Sequence, residues 1–182
     1  MQVLKKIGLG LLALIAVLLI VSLFLPSKVT VVRTAVLKAP APAVFDQVNR
    51  LQNWERWSPW HTIDPQMLLS YEGPDAGKGA KYNWFSKHPD VGNGSLIITE
   101  SVTNQRVDTK MQFEGQGEGL AFYQFEETPE GTKVTWTMES DMGVNPIGKY
   151  FGLMLDGLVG PDFERGLENL RVVVEQPTAE AR

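Results

Sequence analysis

Apolar residues are spread unevenly along this chain, and the first 25 positions hold the densest run of them. Residues 7–25 contain no charged side chain, Lys5 and Lys6 precede them, and Pro26 stops them. At about 1.5 Å of rise per residue, a helix over this run is just long enough for a hydrocarbon core of roughly 30 Å. A helix buried in a soluble core would carry a polar stripe, whereas this one is apolar on every side. A removable signal peptide has a shorter apolar stretch and small residues at its cleavage site. Here the run ends Ser22-Leu23-Phe24-Leu25-Pro26-Ser27, with bulky residues in those places. The pattern predicts a six-residue tail (1–6) and an uncleaved single-pass anchor (7–25). Lys5 and Lys6 favour a cytoplasmic tail, and Lys28, Arg33 and Lys38 oppose it from the other side. A short tail before a large C-terminal domain favours an extracytoplasmic domain, periplasmic if the membrane is a bacterial inner membrane.

After the anchor the period changes to two. Residues 29–37 are β-branched and read as a strand, which Pro40 and Pro42 break. Residues 43–48 give one or two helical turns, and 51–60 a second short helix ending at Ser58-Pro59. Six strands are then predicted at 67–71, 80–86, 95–102, 106–113, 120–127 and 133–140. Glycines 115, 117 and 119 mark the connection between the fourth and fifth of these. From residue 145 the period becomes 3.6, with Phe163, Leu167, Leu170 and Val174 on one face. Gly160-Pro161-Asp162 interrupts it, which predicts a kink or two consecutive helices. Residues 177–182 read as a frayed tail. An antiparallel sheet with an apolar face needs a cover, and only the last helix is long enough. The fold class expected for residues 29–176 is α+β, a curved antiparallel sheet wrapped around a long C-terminal helix, with a pocket between them.

Composition narrows the function. Apart from Lys5 and Lys6 the chain carries 15 basic and 21 acidic residues, which excludes the basic face that nucleic acid demands. With no cysteine there is neither a disulfide nor a thiolate nucleophile or metal ligand. The two histidines, His61 and His88, lack any metal-binding spacing, so no metal and no cofactor is expected.

Several local patterns carry a resemblance. They are Pro42-Ala43-Val44-Phe45, Trp54-Glu55-Arg56-Trp57-Ser58-Pro59-Trp60, Gly77-Lys78-Gly79 before Tyr82-Asn83-Trp84, and Gly92-Asn93-Gly94. Gly131-Thr132-Lys133-Val134-Thr135-Trp136 and Asp162-Phe163-Glu164-Arg165-Gly166-Leu167 complete the set. In this order the chain resembles the START-like, helix-grip superfamily, and within it the SRPBCC, polyketide cyclase/dehydrase-like proteins. The resemblance implies an apolar cavity. It brings no catalytic motif onto particular residues of this chain, because its relatives include carriers and receptors as well as enzymes.

Alternation places Tyr82 with Trp84, Met111 with Phe113, Tyr123 with Phe125, and Trp136 with Met138. These faces either line a pocket or simply fill the core. The expected ligand-binding set is Tyr82, Trp84, Met111, Phe113, Tyr123, Trp136, Met138, Phe151, Met154 and Leu158. Trp54, Trp57 and Trp60 read as a packing lid, or as a gate or bilayer contact. The proton-transfer candidates are His61, with Asp64 nearby, and Glu100, in phase with Leu96 and Ile98. The opposite phase, that of Ile97 and Thr99, leaves Glu100 in water and is the reading favoured, as a surface or loop position is for His61. The expected function is a membrane-anchored module that binds a hydrophobic or lipid-like small molecule. The alternatives are a cyclase, dehydrase or hydrolase using Glu100 or His61, and an envelope protein-interaction domain. The oligomeric state stays open.

Overall fold

The computed structural model describes residues 2–115 and 117–176; the predicted 177–182 tail lies outside them. The first helix, α1 (Gln2–Phe24), takes in Lys5 and Lys6, because nothing among its first residues breaks a helix. Its side chains are exposed except for Ser22. By length and composition α1 is able to cross a membrane, a requirement that a secretion signal also meets.

Strand β1 (Lys28–Leu37) follows, then α2 (Ala41–Asn49), which starts one residue after the extended Pro40 and buries Ala41, Val44, Phe45 and Val48. The predicted second helix is instead a 3-10 turn, Leu51–Arg56, followed by α3 (Pro59–Ile63). Pro59 therefore opens a helix rather than ending one, consistent with its missing N–H being harmless in a first turn. Six strands complete the sheet: β2 (Leu68–Glu72), β3 (Lys81–Phe85), β4 (Asn93–Val102), β5 (Arg106–Phe113), β6 (Gly117–Thr128) and β7 (Gly131–Asp141). Gly117 and Gly119 belong to β6 and not to the preceding connection. The order β1-β7-β6-β5-β4-β3-β2 is antiparallel throughout, an open curved sheet.

The last helix, α4 (Pro146–Glu175), fills the curve. Asn145 caps it by accepting a hydrogen bond from the Ile147 N–H at 3.0 Å, with Pro146 in the first turn. Phe163, Leu167 and Leu170 are buried as the periodicity predicts, and Val174 is half-buried. Of the two outcomes predicted at Pro161, two consecutive helices do not occur: α4 continues through it as one helix. The pyrrolidine ring is exposed, and residue 157, whose carbonyl loses its partner, is a glycine beside open space. Arg33 on β1 staples the helix across this point. Its Nη1 donates to Asp156 Oδ1 at 2.8 Å and its Nε to Glu164 Oε1 at 2.7 Å, carboxylates on either side of the proline. Gly160 leaves the space that the guanidinium occupies; a Cβ there would lie 1.9 Å from Arg33 Nη2.

The staple has a pH signature. The Arg33 guanidinium holds the Asp156 carboxyl below its usual range. A carboxylate whose pKa is depressed by folding stabilises the fold above its unfolded value, about pH 4, and loses that contribution as pH falls through the folded value. Acidification below pH 4 should therefore loosen α4 around Pro161. In Arg33→Gln the Asp156 share of this acid loss should vanish, measured as a flatter melting temperature between pH 5 and pH 3.

Candidate functional site

The interior between sheet and helix has two unlike ends. At one end the aromatic residues interlock. Trp54 and Trp57 are held by their indole N–H groups, which donate to the Val48 carbonyl at 2.9 Å and the Gln47 carbonyl at 3.1 Å. Tyr123 packs on Trp54 with centroids 5.7 Å apart and on Trp136 at 5.0 Å. Trp136 stacks on Phe163 of α4 at 4.0 Å, with the rings only 9° from parallel. Gly166 permits that approach, since a Cβ there would sit 2.7 Å from the Trp136 ring. This end is a plug. Tyr123 and Trp136, two of the expected pocket residues, are packed within it, and Trp54 and Trp57 belong to the same packing rather than to a gate or a bilayer contact.

Beside the plug, Tyr82, Trp84, Met111 and Phe113 border a void of about 20 Å³, room for little more than one water. Burial raises the pKa of the Tyr82 and Tyr123 phenols, so both are neutral at physiological pH.

At the other end, where α4 begins, the sheet and helix diverge around an open cleft of about 600 Å³. The sheet side is Met111, Phe113, Gly119 and Met138, and the helix side is Ile147, Phe151, Leu155 and Val159. Trp60 closes the inner end against the plug, and Met142 lies at the approach to α4. Three methionines and two phenylalanyl rings make an apolar wall that adapts to shape. Gly119 widens the cleft. It shares the inward phase of Ala121, Tyr123 and Phe125, and a Cβ added to it would meet only the Met111 methyl, at 3.8 Å.

The acidic groups of the cleft already have partners. Glu118 pairs with Lys110 at 2.7 Å, Asp162 with Arg165 at 3.1 Å, and Asp141 accepts the Gly143 N–H at 2.8 Å. A depression of about 750 Å³ on the convex face near the same end of the sheet is lined mainly by polar and charged residues such as Lys28, Lys110 and Glu139.

Met154 and Leu158, expected on the pocket wall, point away from the sheet instead, 61% and 51% exposed. They follow the outer side of α4, because Gly152, Leu155 and Val159 take its sheet-facing side. Glu100 also lies elsewhere. A β-bulge between Ile98 and Glu100 reverses its phase, so the alternation that buries Leu96 and Ile98 turns Glu100 to solvent. There a hydrogen bond from the Ser101 N–H, and then the Lys78 ammonium at 3.3 Å, hold its carboxyl below the usual range. His61 on α3 lines a crevice of about 10 Å³ between Ser58, Met67 and Tyr71, away from the cleft. Asp64 does not orient it; that carboxylate accepts from Ser86 Oγ at 2.5 Å and from the Gln66 N–H at 3.0 Å. Ser86 chiefly keeps the Asp64 pKa low. Among the described residues no group of three or more His, Asp or Glu side chains is arranged to hold a metal ion.

Sequence reasoning missed Gly119, Met142, Ile147 and Leu155 as cleft residues. The first was discoverable as the inward-phase position two residues before Ala121. The helix residues were not, because the choice between faces of α4 depends on how it crosses the sheet.

Comparison with known proteins agrees with this architecture. The family model described as polyketide cyclase / dehydrase and lipid transport matches residues 28–175. No curated protein matches the chain. Among solved structures, an uncharacterised protein from Rhizobium leguminosarum is 20% identical, with 82% of this chain and 96% of that one covered and a TM-score of 0.58. A protein of unknown function from Staphylococcus aureus is 12% identical over 82% of this chain and 97% of that one, with a TM-score of 0.61. The Aha1 dimer from Colwellia psychrerythraea is 13% identical over 83% and 99%, with a TM-score of 0.56. At these identities the likeness is one of fold.

Proposed function

We propose, from the premise that this chain belongs to the polyketide cyclase / dehydrase and lipid transport family, that it is a membrane-anchored module holding a lipid-like molecule. The observation that carries this reading is the apolar cleft of about 600 Å³ at the α4 start, next to α1. Its size lies within the range of small-molecule sites, roughly 300–1,000 Å³. Its wall offers burial to an acyl chain, worth about 0.8 kcal/mol per methylene. The partnered acids at its edge suit an oriented polar head rather than proton transfer. Glu100 and His61 stand outside it, which supports holding a molecule over turning one over.

In this reading α1 is an uncleaved anchor and the domain faces the extracytoplasmic side. A chain tethered by only Leu25 to Ser27 meets membrane-dissolved molecules before soluble ones.

The test is photo-crosslinking of the full chain in lipid discs with a diazirine-bearing fatty acid. Adducts on the inward residues of β5 to β7 and on the first half of α4 are expected. Adducts confined to α1 would overturn the reading.

A further inference from the structure

The start of α4 carries an apolar face that no other described residue covers. Ile147, Phe151, Met154 and Leu158 follow one another at spacings of four, three and four residues, a single helical stripe, and Val144 precedes it. All are exposed, Val144 by 94% and Ile147 by 80%. Between Asp141 and Asp156 the only charged residue is Lys149. A stripe of this kind in water is a liability unless a partner covers it.

Its neighbour indicates the partner. The Tyr150 hydroxyl donates to the Leu18 carbonyl of α1 at 2.9 Å, and Lys149 Nζ donates to the Ser22 carbonyl at 3.0 Å. Leu18 lies six residues before the end of α1, about 9 Å along its axis. The first turns of α4 therefore run beside the last turns of α1 and not beyond its end. If Lys6 marks one edge of a hydrocarbon core of roughly 30 Å, the other edge falls near Pro26, and the Lys149 and Tyr150 contacts, at Ser22 and Leu18, lie about 6 and 12 Å inside it. Interfacial helices bury their apolar face by about 5–10 Å, a depth that these two contacts bracket. A tyrosine and a lysine that turn their polar tips to backbone carbonyls are the residue types such a position favours.

We infer that the first half of α4 is a second membrane-contact element, lying in the headgroup–acyl boundary beside α1. Ile147 and Phe151 belong both to this stripe and to the cleft wall, so the cleft mouth opens on lipid. A bilayer molecule enters without crossing water. The inference rests on the anchor reading of α1 and extends it.

The natural sequence has no cysteine, so single cysteines can be introduced into the full chain and labelled with bimane in liposomes. The positions are Val144→Cys and Met154→Cys on the outer face, with Val172→Cys at the far end of α4 and Leu14→Cys in α1 as references. Nitroxide lipids labelled at shallow acyl positions should quench the probes at 144 and 154 about five-fold more than that at 172, and aqueous iodide should do the reverse. If the probe at 14 is quenched by lipid while those at 144 and 154 match 172, this inference falls and the anchor stands. If the probes at 144 and 154 are shielded from both quenchers, a protein surface covers the stripe and the inference is wrong. If the probe at 14 is itself open to iodide, the anchor reading falls, and the inference falls with it.

Discussion

Trp136→Ala is expected to lower the unfolding free energy by about 3–5 kcal/mol, the range for deleting a large buried aromatic side chain. Trp136 is fully buried and touches both layers of the fold: Tyr123 within the sheet, Trp57 below the 3-10 turn and Phe163 on α4. Gly166, directly against the ring, offers no side chain to fill the vacancy. The indole Nε1 is buried without a hydrogen-bond partner, so the loss is one of packing alone. Trp136→Phe keeps most of the stacked surface and should cost far less, about 1–2 kcal/mol. Chemical denaturation followed by near-ultraviolet circular dichroism measures both. A loss under 1 kcal/mol for the alanine variant would show that the plug does not hold sheet to helix.

Gly119→Phe should weaken binding of an apolar probe at least tenfold while leaving the fold intact. A benzyl group built on the inward phase of β6 projects into the cleft and occupies space that a ligand would otherwise fill. Displacing two methylenes from apolar contact costs about 1.6 kcal/mol, slightly more than the 1.4 kcal/mol that corresponds to a factor of ten. The backbone of Gly119 has no positive φ to strain, and phenylalanine is a better strand former than glycine, so stability should hold or rise. Titration of the full chain in lipid discs with a fluorescent fatty acid reads the affinity, and a melting curve reads the fold. Unchanged affinity in a folded variant would move the binding site away from the cleft.

The fold was largely legible because its signals are local. Seven alternating strands, the Pro-opened α2 and the 3.6-period face of Phe163, Leu167 and Leu170 each follow from side-chain spacing within a single element. Alternatives stayed open where an outcome depends on two elements at once. Pro161 allows a kink or two separate helices from the local sequence, and the helix stays single where Arg33, 128 residues earlier, braces it from β1. For Glu100 alternation alone allows either phase, and the favoured solvated one holds because a single extra residue in the β4–β5 pairing turns it outward.

The candidate site was legible in its residue types and not in its position. Tyr123 and Trp136 were expected on a cavity wall, and they fill the space that a central cavity would have used. The opening lies at the α4 start, and Met154 and Leu158 were assigned to the wrong side of that helix because its crossing angle leaves no mark on sequence. The two apolar faces of the α4 start have different partners, the cleft on one side and open surface on the other. A single hydropathy pattern cannot separate them.

A lipid-like molecule is proposed to occupy the cleft beside α1. A structure of the full chain crystallised from a lipidic phase with a bromine-labelled fatty acid tests it most directly. An anomalous bromine peak is expected between Met138 and Leu155, with the acyl chain running out past Ile147. Bromine found only along α1, with the cleft closed by its own side chains, would contradict it.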